Sequence, residues 1–564
     1  MTEPTSASAA EPRTPGSQPE RPQQGGGGEA DPEPAPQQSG ASHSNGWAVL
    51  FSLVVVALTL LLCLLVARRA LTLGVRGEWV WEYRQGRGAG LLEEFRLPAG
   101  FLVLLLVLVW SLSAVETALA SRVPAQRAPA RGWAREVLAV ALLLAVGLLF
   151  QLASGGIYAG LGQDVLAVTE ESVGGYYGLS QEIVSPTAFL AGYPRLLATR
   201  EPVGHLNTHP PGNTMYFYLL RRFFAAYPGL ARQVTALEPP SMRGSEGAFA
   251  LVESNHQLVL SFPERAAIFA SILLVRWKAA LVAVFLYLLA RWTLGERKAV
   301  GVAALGLTIP SIIVFLPGLD ATYPTGAVAL AALLVGALVW RSSILAFLAG
   351  VALYAVMVFS PALALAAVPV LFWYGLARRT EWGARLRRRA GQAMLVQVVG
   401  VGLLGFAAAL AALWALVQFD ALSTWWECLR SNARFNRVTG RSYLPWVLYN
   451  PVDFLMFLGV GLSALLLVGA AGVVRRLRAW RRWDPVTLGL LAYVLLLLLL
   501  DVSGMNTGEV ARLWMFLMPG AALLAAPVLE TFGPASRYVL IVILACQAFQ
   551  ALVFKLYLNV LLMT

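Results

Sequence analysis

The sequence is short of charge, of cysteine and of histidine. Charged residues fill 13% of its 564 positions, about half the share of an ordinary soluble domain, so there is no large solvated surface for a water-soluble fold. Three cysteines, Cys63, Cys428 and Cys546, are scattered, two of them in apolar runs; this excludes a disulfide framework and a cysteine metal cluster. Four histidines are present and no HExxH pattern pairs them. A divalent metal keeps a place among the expectations, but with no ligand cluster to hold it. The phosphate loop GxxxxGK[ST] and the nucleophile elbow GxSxG are also missing from any plausible context, so energy coupling through ATP within this chain is not expected. Acidic residues are the scarcer sign, 31 against 43 Lys and Arg, for a net charge of +12. The basic excess sits in short loops between apolar runs, as in LARRTEWGARLRRRAG (376–391) and VVRRLRAWRRW (473–483). That is the signature of membrane topology, and no nucleic-acid partner is expected.

What is abundant is apolar. Hydrophobic residues make up 58% of the chain and mean hydropathy is +0.66. Runs of about 20 apolar residues, the length needed to cross a bilayer, recur almost from end to end. Backbone polar groups in lipid must be satisfied within the chain, so these runs are read as helices. The fold class is an all-α polytopic membrane protein of about 13 spans, at 47–67, 98–120, 136–158, 264–291, 299–317, 322–341, 343–359, 361–377, 393–418, 452–474, 486–500, 513–529 and 537–561. Residues 1–46 are rich in Pro, Gly, Ser, Gln and Glu and are expected to be a disordered cytoplasmic tail. No basic segment precedes an early apolar run, so a cleaved signal peptide is not expected. Residues 47–135 form an N-terminal pair of spans with connectors, and 136–564 the core, including a loop at 159–263. By eye no internal repeat is visible, which weakens a transporter built from inverted halves.

Arginine and lysine set the orientation. The loops 121–135, 292–298, 378–392 and 475–485 are basic and share one parity, which places them in the cytoplasm. The opposite parity holds 159–263, the turns near Asp320 and Ser360, 419–451 and 501–512. Loop 68–97 dissents: parity puts it outside, yet it carries several arginines. Chemistry is expected on the outer side, where the polar and aromatic loops lie.

Four stretches there carry unusual polarity. LGQDVLAVTEESVGGYYGLSQEI (161–183) offers Asp164, Glu170, Glu171 and Glu182 with the paired Tyr176 and Tyr177. These are either ordinary solvated loop charges or neighbouring carboxylates that raise one another's pKa and supply a general base. GHLNTHPPGNTMYFYLLRR (204–222) contains His209-Pro210-Pro211-Gly212. Two prolines remove amide donors and fix φ, so the tetrapeptide is a rigid elbow. An amphipathic helix suited to the membrane interface follows, beginning at Asn213 or Thr214. STWWECLRSNARFNRVTGRSYLPWVLYNPVDF (423–454) interleaves arginines with aromatics, and 500–519 adds Glu509 and Arg512. Arg430, Arg434, Arg437, Arg441 and Arg512 stand against the positive-inside bias. An anion explains them, because guanidinium forks bind phosphate; the bland alternative is pairing with lipid headgroups or with Glu427 and Glu509. Exposed Trp and Tyr either form an interfacial belt or stack on sugar rings. Tyr176, Tyr177, Arg441, Tyr443, Asn450, Glu509 and Arg512 are therefore candidate substrate-binding residues, and Glu171, Glu170, Asp164 and His209 candidate catalytic ones.

Taken together, a carboxylate-bearing outer loop, YYGLSQEI, and HPPG opening a helix resemble the GT-C superfamily of membrane glycosyltransferases, the protein mannosyltransferase and aminoarabinose transferase branch above all. LARWTLGERKAVGVAALGLTIPSIIVFLPGLDATYP (289–324) is similar to a later part of that group, and the likeness covers roughly 160–330, with weaker echoes at 441–454 and 504–519. Glu170-Glu171 stand farther from Tyr176-Tyr177 than in the branch's Asp-Glu-x-x-Tyr, and Gly212 replaces the commoner leucine. The resemblance implies inverting transfer of a sugar from a polyprenyl-phosphate carrier to a lipid, glycan or protein acceptor at the outer face of the plasma membrane. A carboxylate would deprotonate the acceptor and cationic groups would stabilise the departing phosphate. The rival readings are a flippase for a lipid-linked saccharide, which should carry ionisable residues deep in its spans, and a non-catalytic scaffold. Apart from Arg276 and Lys278, most spans are clean.

Overall fold

A computed structural model describes residues 39–84, 91–122, 130–157, 160–169, 175–199, 205–244, 247–256, 259–377, 381–478 and 485–560. The expected tail at 1–38 and the candidates Glu170 and Glu171 lie outside the described residues. The first helix begins at Ser39, earlier than the apolar run alone suggests, and continues to Ala67.

Helices account for nearly all the described structure. Seven segments are long and apolar enough to cross a membrane: 46–67, 93–115, 133–155, 262–293, 319–340, 395–417 and 515–557. Four shorter apolar helices join them at Ser343–Met357, Pro361–Phe372, Val460–Arg475 and Thr487–Val502. The 43-residue segment Met515–Tyr557 would be about 65 Å long as one helix, twice the thickness of a hydrocarbon core. It breaks at Gly533, whose φ of 56° and ψ of −130° only glycine adopts readily, and runs as Met518–Leu529 and Ser536–Tyr557. The expected span at 299–317 is likewise broken: Glu296–Leu307 ends at Thr308 and Pro310 restarts the chain as the first residue of Pro310–Val314, the position where a missing N–H costs nothing. The 262–293, 319–340 and 515–557 segments are mostly buried and form the interior, whereas 46–67 and 395–417 are largely exposed, as lipid-facing helices must be.

Side-chain pairing separates two ends of the bundle. At one, the short basic connectors meet: Arg291 holds Glu136 through two bonds of 3.0 and 3.1 Å, Arg135 pairs with Glu296, and Lys298 lies 2.9 Å from Glu530. At the other, the loops of opposite parity meet. Arg434 donates to the carbonyls of Leu197 and Ala198, Asn432 and Asn436 to that of Met505, and Trp425 to that of Met357.

The dissenting loop also sits at this second end. Residues Gly74–Val75 and Trp79–Val80 form a small hairpin, and Glu82–Tyr83 pair antiparallel with Leu558–Asn559. Trp81 is buried and donates to Asp453 at 2.9 Å, while Glu78 accepts from the Ser442 amide and the Trp446 indole. Two of its arginines are occupied internally: Arg69 donates to the Arg84 carbonyl, and Arg84 to Gln163 and the Lys555 carbonyl. Paired in this way, they need no cytoplasmic face.

Candidate functional site

The elbow is built as its sequence suggests. A 3-10 turn over His205–Thr208 leads into Pro210-Pro211, and the helix starts at Gly212, one residue before the earlier expected start, to run to Ala226. Gly212 is there for space. Its amide donates to the Val358 carbonyl at 3.0 Å, and a Cβ on Gly212 would come within 2.5 Å of that same oxygen. The leucine common in the resembling branch does not fit this crossing. Arg221 on the helix donates to Glu264 and to the Ser180 carbonyl, which seats the helix on Phe262–Ala280 and Tyr176–Gln181.

His209 is buried by this seat. Its Nδ1 lies 3.1 Å from Thr208 Oγ1, its carbonyl accepts from Tyr193, and its ring lies between Tyr176 at 6.0 Å and Tyr323 at 6.3 Å. Tyr323 in turn accepts from Asn213 at 2.8 Å. Burial raises the Tyr176 phenol above its ordinary value, with the charge of Asp320 adding to the effect and the Asn213 side chain opposing it. Tyr177 points away, packed edge-on against Phe217, and does not join the cluster.

Beside this aromatic group lies a chain of alternating charges. Arg441 Nη2 is 3.1 Å from Glu509 Oε1, Arg512 Nη2 is 2.5 Å from Glu509 Oε2, and Arg512 Nε is 3.6 Å from Asp320 Oδ2. Arg441, Glu509 and Arg512 have side chains no more than 8% exposed, while Asp320 keeps 21%. The Arg441 guanidinium also donates to the Thr507 carbonyl at 2.7 Å and lies over the rings of Trp79, Trp446 and Phe435 at 5.3–5.8 Å. Glu509 adopts a left-handed backbone, φ 58° and ψ 22°, which costs a residue with a Cβ on the order of 1–2 kcal/mol. The two guanidiniums hold it there. The short helix Val510–Leu513 that carries Arg512 is fixed by Asp453, which accepts from the Ala511 amide at 2.9 Å. A small cavity reaches Arg441 and Glu509 and is lined also by Thr208, Asn432, Asn436, Asn506 and Thr507. One guanidinium, three carboxamides and two hydroxyls line it, groups that bind phosphate oxygens and sugar hydroxyls.

The remaining candidates sit elsewhere. Asp164 is buried and ion-paired with Arg276, with Lys555 and Arg84 close enough to act on its charge. Burial pushes its carboxyl up and Arg276 pulls it down. Asn450 donates to Asp501 and to the Asn506 carbonyl, tying down the cavity wall from behind. Tyr443 is half exposed and donates to the Val502 carbonyl. Arg430 pairs with Glu427 and stacks on Trp426. Sequence reasoning missed Asp320, Tyr323, Asn213 and Trp79 as neighbours of the cluster. Asp320 left a signal, a lone acid between two apolar runs in the same-parity turn; the others left none. Among the described residues no group of three or more His, Cys, Asp or Glu is placed to hold a metal ion.

No protein-family model matches the sequence, and no curated protein matches it. Among solved structures, a crystal structure of the Archaeoglobus fulgidus oligosaccharyltransferase, in complex with zinc and sulfate, is similar to the chain at a TM-score of 0.35 and 14% identity, over 66% of this chain and 49% of that one. The chain thus spans about half the length of that protein. At that TM-score the likeness carries nothing of the site across.

Proposed function

We propose that the protein is a membrane glycosyltransferase. In this reading it moves a sugar from a polyprenyl-phosphate donor to a hydroxyl of a lipid, glycan or protein acceptor, with inversion, and the arginine bias over about 13 spans assigns the loop end to the extracytoplasmic side of the plasma membrane. The observation that carries the reading is the Arg441–Glu509–Arg512–Asp320 chain beside His209 and Tyr176, which borders a small polar cavity through Arg441 and Glu509 where the loops converge. Arg512 and Arg441 hold the donor phosphate. A carboxylate takes the proton from the acceptor hydroxyl, whose oxygen attacks the anomeric carbon. The bond from that carbon to the phosphate oxygen breaks, and the carrier leaves as polyprenyl phosphate. Charge grows on that oxygen in the transition state, where fixed guanidiniums are most effective.

Glu171, with Glu170 in reserve, remains the assigned base, and Asp320 joins them because it is the most accessible carboxylate of the described cluster. Asp164, tied to Arg276, is given a structural part. His209 orients the acceptor. The test is incubation of the purified protein with a labelled polyprenyl-phosphate sugar and a panel of hydroxyl acceptors. Labelled product with free carrier supports the reading, and Glu171→Gln or Asp320→Asn should then lower turnover about a hundred- to ten-thousandfold. Intact carrier moved across vesicles, with no product, makes the protein a flippase. The face is tested separately in a variant without its three native cysteines. Val184→Cys, at a side chain 97% exposed, should react with an impermeant thiol reagent in whole cells.

A further inference from the structure

Two cavities lie away from the loop-end cluster. An apolar slot of about 390 Å³ runs among the helices Val282–Thr293, Tyr323–Trp340, Ala367–Ala377, Pro485–Val502 and Met518–Leu529, with Leu289, Ala331, Val335, Val370 and Leu523 in its walls. One charged side chain lines it, Lys298, at the basic end. A second cavity of about 290 Å³ adjoins at that end and is lined by Arg297, Lys298, Arg537, Glu530, Ser113 and Ser536. Lys298 belongs to both. The residue therefore borders both chambers, with its ammonium on Glu530 in the polar, basic one.

We infer that this junction binds an anionic glycerophospholipid from the leaflet at the basic end, with its phosphodiester among Arg297, Lys298 and Arg537 and an acyl chain in the slot. Three observations converge on it. Arg297, Lys298 and Arg537 line the polar chamber together; Lys298 lies 2.9 Å from Glu530 and Arg537 donates to the Ser113 carbonyl at 3.2 Å, which fixes the two cations on its wall. Arg537 lies 5.3 Å from the Trp110 ring, which packs on Tyr538 at 4.9 Å. Amphipathic rings of this kind mark the headgroup level of a bilayer, so the basic chamber is at the depth where a lipid phosphate sits. The slot, which shares Lys298 with the polar chamber, supplies what a free inorganic ion has no use for, an apolar volume beside the charged one. Basic pockets between membrane helices select anionic headgroups by this combination. The site is at the opposite end from the Arg441–Glu509–Arg512 cluster, so it stands or falls independently of the transfer reaction.

The test uses the full chain, purified in detergent and stripped of lipid, and reads bound lipid by native mass spectrometry alongside the thermal midpoint. The probes are phosphatidylglycerol, phosphatidylcholine and inorganic phosphate. Phosphatidylglycerol should bind and raise the midpoint, and the other two should do neither. Arg297→Gln, on an exposed side chain, and Lys298→Gln should each weaken phosphatidylglycerol binding about fivefold. Lys298→Arg should retain it, and Ala331→Leu, which fills the slot without touching the charges, should weaken it as well. Equal binding of phosphatidylcholine, a midpoint shift produced by inorganic phosphate alone, or undiminished binding in Arg297→Gln and Lys298→Gln would each overturn the assignment.

Discussion

At the loop end, Glu509 is 6% exposed and held by two guanidiniums that are themselves buried; at the basic end, Arg291 and Glu136 keep 38% and 20% of their side chains in contact with solvent. Both ends carry ion pairs, but water takes a different share in each. An exposed pair exchanges one set of hydrogen bonds for another and gains little. A buried pair has lost its water, so each partner depends on the other, and removing one leaves a charge in a medium that cannot solvate it. The loop end is thus the end at which positions are fixed, with charges at defined places around a cavity. The basic end, with its pairs open to solvent, should tolerate change. Energetically the two ends are not interchangeable, although a count of their salt bridges would make them look alike.

The largest effect should come from the buried Asp164–Arg276 pair. Arg276→Met leaves Asp164 without its closest partner and should destabilise the protein by about 3–5 kcal/mol. Adding Asp164→Asn should recover most of that loss. Thermal unfolding in detergent measures both, and a double variant no better than the single one would break the contrast between the ends.

Next comes Arg512→Gln. The protein should remain folded and turnover with a polyprenyl-phosphate donor should fall about a hundred- to a thousandfold. Normal donor affinity and turnover in a well-folded variant would leave Arg512 as a partner of Glu509 and Asp320 only.

Gly212→Ala should cost about 1–3 kcal/mol, because the added methyl must push the Val358 carbonyl away, and it should lower activity by moving His209. Lost stability with full activity would detach the elbow from the chemistry.

A smaller effect is expected from pH. Hydrogen bonds from Ser442, then from Trp446, hold the Glu78 carboxyl below its ordinary value. A depressed folded value means that this clip contributes fully above the unfolded pKa, about 4.3, and is lost as pH falls through the folded one. Trp446 fluorescence should therefore show an acid transition that Glu78→Gln abolishes.

The smallest change is predicted for Glu136→Gln at the basic end, within about 1 kcal/mol. A loss as large as that of Arg276→Met would erase the difference between the ends.

Much of this was legible in the chain, because bilayer physics writes itself into composition. Apolar runs gave most of the helices, though not the break inside 299–317, and among the described residues the loops grouped by the arginine bias meet at separate ends. The outlying Arg441 and Arg512 could be singled out because their charges run against that bias, and Glu509 because it is an acid beside one of them. Partners far apart in sequence could not be read. Asp164 looked like a loop acid until Arg276, on another helix, was placed against it. Asn450 and Tyr443 looked like ligand-binding residues, yet their hydrogen bonds go to the chain itself. Gly212 carries no chemical signal at all, since its reason is the backbone of Val358 pressed against it.

One pairing bears on biosynthesis. The strand Glu82–Tyr83 finds its partner at Leu558–Asn559, and Arg84 closes on Gln163 and on the carbonyl of Lys555. With translation at about 5–20 residues per second, the two strands leave the ribosome on the order of a minute apart. The first loop must wait that long for its partner, with Trp81 and Arg84 lacking their final surroundings. A nascent chain stalled before the last helix would have its early spans inserted and its first loop still open. Protease sensitivity of that loop would report when the final crossing is complete.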